Sequence, residues 1–242
     1  MKVEIWSDFV CPFCYIGKRR FEAALEQFAH KNEIEVVYRS FELDPNAKRD
    51  YNHDVHDMLA SKYGMSREQA KAMNDDVAGQ AEAVGLTYYF DSMIITNTFD
   101  AHRLAHFAAQ YGKMNEMTER LLKAYFTDCK HIGDHETLAA LAAEIGLDKN
   151  EAAKMLAGDQ YTKEVRADEQ EAVNLGIRGV PFFVINNKYA ISGAQPSEVF
   201  LGALQKAWSE ERPLIILSDP DSNAADAVCA DGVCAPPKAL KK

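Results

Sequence analysis

Residues 1–15 read MKVEIWSDFVCPFCY, and this stretch decides the fold. Residues 2–7 predict a short strand, which gives way to Cys11-Pro12-Phe13-Cys14. A helix is predicted over 12–30, because proline is tolerated in a first helical turn, where its missing N–H has no partner to lose. Its apolar stripe runs Ile16, Phe21, Leu25, Phe28. Residues 34–41, IEVVYRSF, alternate and are rich in β-branched side chains, which predicts a second strand that Asp44-Pro45-Asn46 ends. The first 45 residues therefore read as a β-α-β unit with two cysteines at its strand-to-helix turn.

Beyond this unit the pattern turns helical. Candidate helices are 54–63, 67–84, 98–111, 115–127, 135–145 and 149–156. Gly64, Gly85, Gly112, Gly133, Gly146 and Gly158 punctuate them as helix C-terminal glycines do. A further helix fits 160–175. Pro181–Ile185 then reads as a strand, Asn186-Asn187 as a hairpin turn, Lys188–Ser192 as the return strand, and 196–209 as a last helix. With the helical block removed, the remaining element order is that of a thioredoxin fold. The expected architecture is α/β, with a large all-helical insertion between N-terminal β-α-β and C-terminal β-β-α halves. Residues 1–48 and 159–212 would form the thioredoxin-like domain, 49–158 the helical insertion, and 213–242 a flexible tail that carries two cysteines.

Composition narrows the function classes. The chain has 242 residues, 47% hydrophobic and 26% charged, which are ordinary globular values. With 27 basic against 37 acidic residues the net charge is −10, which argues against a nucleic-acid surface. The longest apolar runs, such as Leu138–Ala143 and Leu214–Leu217, are far short of the roughly 20 residues a membrane span needs. No apolar secretory stretch precedes the first strand, so a cytoplasmic location is expected. No nucleotide-binding glycine motif is present, and neither a cofactor nor a metal site is expected.

The five cysteines are Cys11, Cys14, Cys129, Cys229 and Cys234. Cys11 opens a helix, where unpaired N–H groups and the macrodipole favour a thiolate, the nucleophilic form. Cys14 lies about one turn on, within reach of a bond to Cys11. Taken alone, a C-x-x-C pair is equally half a zinc site; strand-to-helix placement favours redox chemistry. Lys18, Arg19 and Arg20 follow on the same helix, either as a solvated face or as added positive potential. Gly179-Val180-Pro181 precedes the Phe182–Ile185 strand. A cis bond at Pro181 would offer the Val180 backbone to a visiting extended peptide, since Pro181 has no N–H to compete.

The segment Trp6–Tyr15 together with Gly179–Val184 resembles the DsbA-like branch of the thioredoxin superfamily. Asn97–Leu104 and Ser192–Gln195 narrow the resemblance to the FrnE-type dithiol–disulfide oxidoreductases or isomerases, over about residues 1–210. It implies Cys11 as attacking thiol, Cys14 as resolving thiol and Pro181 as a cis-proline, with Pro12, Phe13 and Val180 lining the substrate. DsbA itself has histidine between its cysteines. Phe13 supplies no such donor, so a less oxidising pair is expected, nearer roughly −200 to −230 mV than −120 mV. The buried acid that DsbA carries ahead of its cysteines is not matched, since Glu4 is one position off.

Cys229-Ala230-Asp231-Gly232-Val233-Cys234 is a candidate second redox pair, with Gly232 permitting the tight turn. As a coil, residues 218–228 would span roughly 17–20 Å, enough to tether this pair to Cys11. His102 and His106 read as structural or surface histidines, and Cys129 as an incidental thiol. Phe99, Phe107, Tyr111, Tyr125 and Phe126 read as core. The expected function is a thiol–disulfide oxidoreductase and isomerase acting on disulfide-containing proteins or small thiols. An unidentified thiol system would recycle it, and the acidic helical block is a candidate dimer face. The rival readings are a glutathione-dependent transferase or 2-hydroxychromene-2-carboxylate isomerase-like enzyme, with Asn97–Arg103 helping to bind the small thiol, and a thiol-based metal-binding module.

Overall fold

Strand β1 (Lys2–Ser7) is buried on both faces after its first residue, and its alternation sends successive side chains to different layers. Val3 and Ile5 face helix α1 (Pro12–Gln27) and helix α9 (Ser197–Glu210), packing with Phe21, Ala24, Phe200 and Leu204. Trp6 faces the other way, onto Ala172 of helix α8 (Thr162–Asn174), and its indole N–H donates to the Asp168 carbonyl at 3.0 Å. These contacts belong to a computed structural model. It describes residues 1–210 and, in the tail, the backbone of 229–230 and 233–234.

The sheet has the order β2-β1-β3-β4. Strand β2 (Glu35–Ser40) runs parallel to β1, and β3 (Phe182–Ile185) and β4 (Tyr189–Ser192) are antiparallel to their neighbours. Asn186 and Asn187 take φ of 50° and 53° at the centre of the turn that the Lys188 N–H closes on the Ile185 carbonyl at 3.0 Å, positive angles that asparagine tolerates. Between β2 and β3 lie α2 (Val55–Tyr63), α3 (Arg67–Glu82), α4 (Phe99–Ala109), α5 (Met114–Phe126), α6 (His135–Glu144), α7 (Lys149–Ala157) and α8. This is the thioredoxin order with a helical insertion. Asp54, Ser66, Asp134 and Asp148 each cap a helix start by accepting a backbone N–H, and Ser66 with Gln69 completes a capping box.

Residues 1–210 form one compact unit. Its largest core joins Phe9, Tyr15 and Ile16 to Leu104, Leu121, Phe126 and Leu138 of the inserted helices. The insertion therefore packs directly on the first turns of α1. In the C-terminal unit, strand β5 (Cys229–Ala230) pairs antiparallel with β6 (Val233–Cys234), with Cys229 opposite Cys234. The rest of residues 211–242, including the expected tether 218–228, lies outside the described residues.

Two local expectations change. Helix α1 ends at Gln27, and the Phe28 N–H turns back to the Leu25 carbonyl. Gly133 and Gly158 do not close helices in the left-handed region as Gly64 does at φ 66°. Gly133 instead lets the chain press on Thr96, whose Oγ1 a Cβ there would meet at 2.1 Å.

Candidate active site

Cys11 is the N-cap residue of α1, in extended backbone, with Pro12 opening the first turn. Its backbone is tied from both sides: the Cys11 N–H donates to the Asp8 carbonyl at 3.2 Å, and the Cys14 N–H to the Cys11 carbonyl at 3.0 Å. Both cysteines are free thiols and buried, while Phe13 between them is exposed. The Val180–Pro181 peptide bond is cis. It brings the Val180 carbonyl to 3.5 Å from Cys11 Sγ, and the Pro181 carbonyl accepts from the Gly193 N–H at 2.8 Å. Cys11, Cys14, Pro12, Phe13, Val180 and Pro181 thus converge from two distant parts of the chain. The side chains of Cys229 and Cys234 lie outside the described residues.

Cys14 is the deeper sulfur. Burial, with the neighbouring Cys11 sulfur, holds its thiol well above the ordinary cysteine range. The Asp8 N–H hydrogen-bonds to this sulfur at 3.4 Å, and it and the neighbouring Ser7 hydroxyl pull the other way. Ser7 shares the face of β1 that α1 covers. Glu4 points to the opposite face, where it pairs with Lys2 and Arg39, and burial is outweighed by these partners so its carboxyl titrates lower than usual. The alternation of β1 therefore separates Glu4 from the thiols.

Three residues that the sequence left unnoticed hold this geometry. Gly17 presents bare backbone to the cis-proline: a Cβ there would meet Pro181 Cγ at 3.0 Å and Ala194 at 3.5 Å. Tyr88, from the insertion, donates its hydroxyl to the Pro12 carbonyl at 2.8 Å. Glu119 of α5 binds Lys18 at 2.8 Å, Arg19 and Tyr15, pinning α1 to the insertion. Burial pushes the Glu119 carboxyl up, but Arg19 and Lys18 outweigh it and bring it down to about 2. Lys18 is consequently buried, and Arg20 is spent on the Ala194 carbonyl. These three cations are neither a solvated face nor a free positive field at Cys11.

His102 is buried against Asp8, 3.3 Å from Nε2 to Oδ1, and His106 faces Asp168 at 3.1 Å; both are structural. Arg103 is buried too. It donates to the carbonyls of Met155, Leu156, Gly158 and Gln160, and to Asp100. Asn97 accepts the Phe99 N–H at the start of α4, and Arg103 ties α4 to the end of α7. Of the aromatic group, Phe107, Tyr125 and Phe126 are core, whereas Tyr111 is exposed. Cys129 sits half-buried at φ 50°, its Sγ near the Tyr89 carbonyl.

Beside Cys11 opens a cavity of about 910 Å³, lined by Val10, Phe13, Tyr51, Met58, Met73 and Tyr125 among others. Its walls are largely apolar and come from both the β-α-β unit and the insertion. A nucleophile at a helix start, a cis-proline opposite it and a second thiol beneath make an arrangement suited to thiol–disulfide exchange. Residues 2–205 match the DSBA-like thioredoxin domain family. The chain belongs to that family.

Members of it and its neighbours set the range. A crystal structure of a probable DsbA oxidoreductase from Streptomyces coelicolor is 46% identical, with TM-score 0.84, over 98% of this chain and 100% of that one. The uncharacterized protein YwbO of Bacillus subtilis is 32% identical over 87% of this chain and 96% of its own length. The cytosolic disulfide reductase DsbM from Pseudomonas aeruginosa shares the fold at 16% identity and TM-score 0.62, over 87% of this chain and 100% of that one. A 2-hydroxychromene-2-carboxylate isomerase shares it at 14% and 0.64, over 87% and 95%. Among the described residues no helix is long and apolar enough to cross a membrane.

Proposed function

We propose that this DsbA-like protein is a dithiol–disulfide oxidoreductase with isomerase capacity. Its substrates are disulfides in proteins or small thiols, in the cytoplasm, and a cellular thiol system recycles it. The observation that carries this reading is the meeting of Cys11 with the Val180 carbonyl at 3.5 Å across the cis-proline, with Cys14 one turn behind. Cys11 attacks one sulfur of a substrate disulfide. A Cys11–substrate bond forms, the substrate S–S bond breaks, and the departing sulfur leaves as a thiolate. Cys14 then attacks Cys11 and releases the second substrate thiolate. The protein pair is oxidised and the substrate reduced; the reverse sequence oxidises a dithiol. An extended substrate chain lies along the Val180 backbone, and Pro12 and Phe13 flank its sulfur.

The tail pair enters as a relay: Cys229 and Cys234 exchange with Cys11–Cys14. Opposite residues of an antiparallel ladder have Cα atoms about 4.5–5.5 Å apart, within the disulfide range, and their register supports pairing. A Cys229→Ser/Cys234→Ser variant that cycles Cys11–Cys14 at the wild-type rate refutes the relay.

The roomy apolar cavity beside Cys11 favours one rival, a glutathione-dependent transferase or 2-hydroxychromene-2-carboxylate isomerase-like activity on a small aromatic molecule. Cys14→Ser separates the two. The dithiol reading expects this variant to accumulate a mixed disulfide at Cys11 with a cystine peptide and to stop turning over. Turnover of an aromatic substrate that needs glutathione and survives Cys14→Ser refutes it.

A further inference from the structure

Against Ser7 of β1 and Thr118 of α5 lies a second and much smaller pocket of about 10 Å³. That is room for one water. Ser7, Ser40, His102 and Thr118 line it, all buried, with Phe9 and Tyr38 closing its walls. Ser40 and His102 are engaged, with His106 at 3.1 Å and Asp8 at 3.3 Å. The Thr118 hydroxyl on α5 is not: its residue is 1% exposed and its Oγ1 has no partner among the described residues. A buried hydroxyl without a partner costs about 1–3 kcal/mol, and a polar pocket offering it three further neighbours is where water is retained. The pocket also reaches Ser7, which lies on the face of β1 that α1 covers and directly precedes Asp8, whose N–H bonds to the Cys14 sulfur at 3.4 Å.

We propose that this pocket binds one structural water, positioned by Thr118, which donates to the Ser7 hydroxyl so that Ser7 in turn donates to Cys14 during the resolving step. Thr118 is then a positioning residue three hydrogen bonds from the sulfur, and the inference rests on the dithiol reading. In the step concerned the Cys14 thiolate, its proton already lost to solvent, attacks Cys11 of the mixed disulfide. The Cys11–Cys14 bond forms and the Cys11–substrate bond breaks. Its electron pair leaves on the substrate sulfur, which takes a proton from solvent. The donor chain acts on Cys14 alone, so it accelerates this second step and leaves the first unchanged.

The test compares wild type, Thr118→Val and Thr118→Ser with a cystine-containing peptide, using rapid acid quench and mass spectrometry to time formation and release of the mixed disulfide. A high-resolution crystal structure of the wild type accompanies it. Thr118→Val is expected to slow release roughly tenfold, about the worth of one hydrogen bond to a charged group, with formation unchanged. Thr118→Ser restores release, and density for one water bonded to Thr118 and Ser7 fills the wild-type pocket. A wild-type release rate in Thr118→Val, a serine variant that fails to rescue, or a dry wild-type pocket overturns the proposal. A wild type that forms no mixed disulfide, or never resolves one, instead refutes the dithiol reading beneath it.

Discussion

The seam between Gly17 and the cis-proline offers a substitution whose stability and activity effects separate. In Gly17→Ala the new Cβ meets Pro181 Cγ at 3.0 Å and the Ala194 backbone at 3.5 Å. Replacing a helical glycine gains about 1 kcal/mol of helix propensity, and burying a methyl adds about 0.8 kcal/mol. Overpacking costs about 1–3 kcal/mol. These nearly cancel, so the net change is within about 1 kcal/mol, or roughly 2–4 °C in Tm for a unit of this size. Activity does not share the balance. The clash is relieved by moving Pro181 a few tenths of an ångström, and Pro181 carries the Val180 carbonyl that stands 3.5 Å from Cys11 Sγ. If misplacement by 1 Å costs about 100-fold, a few tenths cost roughly three- to tenfold. The assay is turnover of a cystine peptide beside iodoacetamide alkylation of Cys11, which needs no clamp. The expected result is slower turnover with unchanged alkylation and a near-native Tm. Wild-type turnover, or a loss of more than about 3 kcal/mol in stability, refutes the argument that this seam positions substrate.

Glu119→Gln tests the buried ion cluster through pH. The Glu119 carboxyl falls from 4.5 to about 2 on folding, so its stabilisation is complete above pH 4.5 and is lost as pH falls toward 2. Discounted for partial exposure, this is roughly 1–2 kcal/mol, and the variant flattens that part of the urea-derived stability-against-pH curve. Arg103→Met removes the donor that four carbonyls share, and is expected to cost about 3 kcal/mol in chemical denaturation while glutathione affinity, read by calorimetry, is unaltered. Asn187→Gly, at φ 53°, keeps the β3–β4 hairpin and leaves Tm the same or higher, whereas Asn187→Val, β-branched at positive φ, lowers it by several degrees.

The sheet and the order of elements were legible because their signals are local. IEVVYRSF alternates, Asn186-Asn187 can only turn, and Pro12 sits where a helix can begin. The thiol pair and Val180-Pro181 were legible as types, since chemistry is written in residue identity. What escaped depends on contacts made across the chain. Gly17 looks like any helical glycine until Pro181, far along the sequence, packs on it. Lys18 to Arg20 look solvated until α5 brings Glu119, and Arg103 looks available for ligand until the end of α7 surrounds it. Thr118 and Ser7 share no sequence pattern. Only the packing of α5 against β2 brings them to one pocket.

The most direct test is a redox titration in glutathione buffers with alkylation and peptide mapping of each cysteine. The account predicts that Cys11 and Cys14 lose and regain accessibility together, as one two-electron couple with a midpoint at roughly −200 to −230 mV, while Cys129 stays a thiol. Cys11 and Cys14 remaining separate, independently alkylated thiols across the whole range would contradict it.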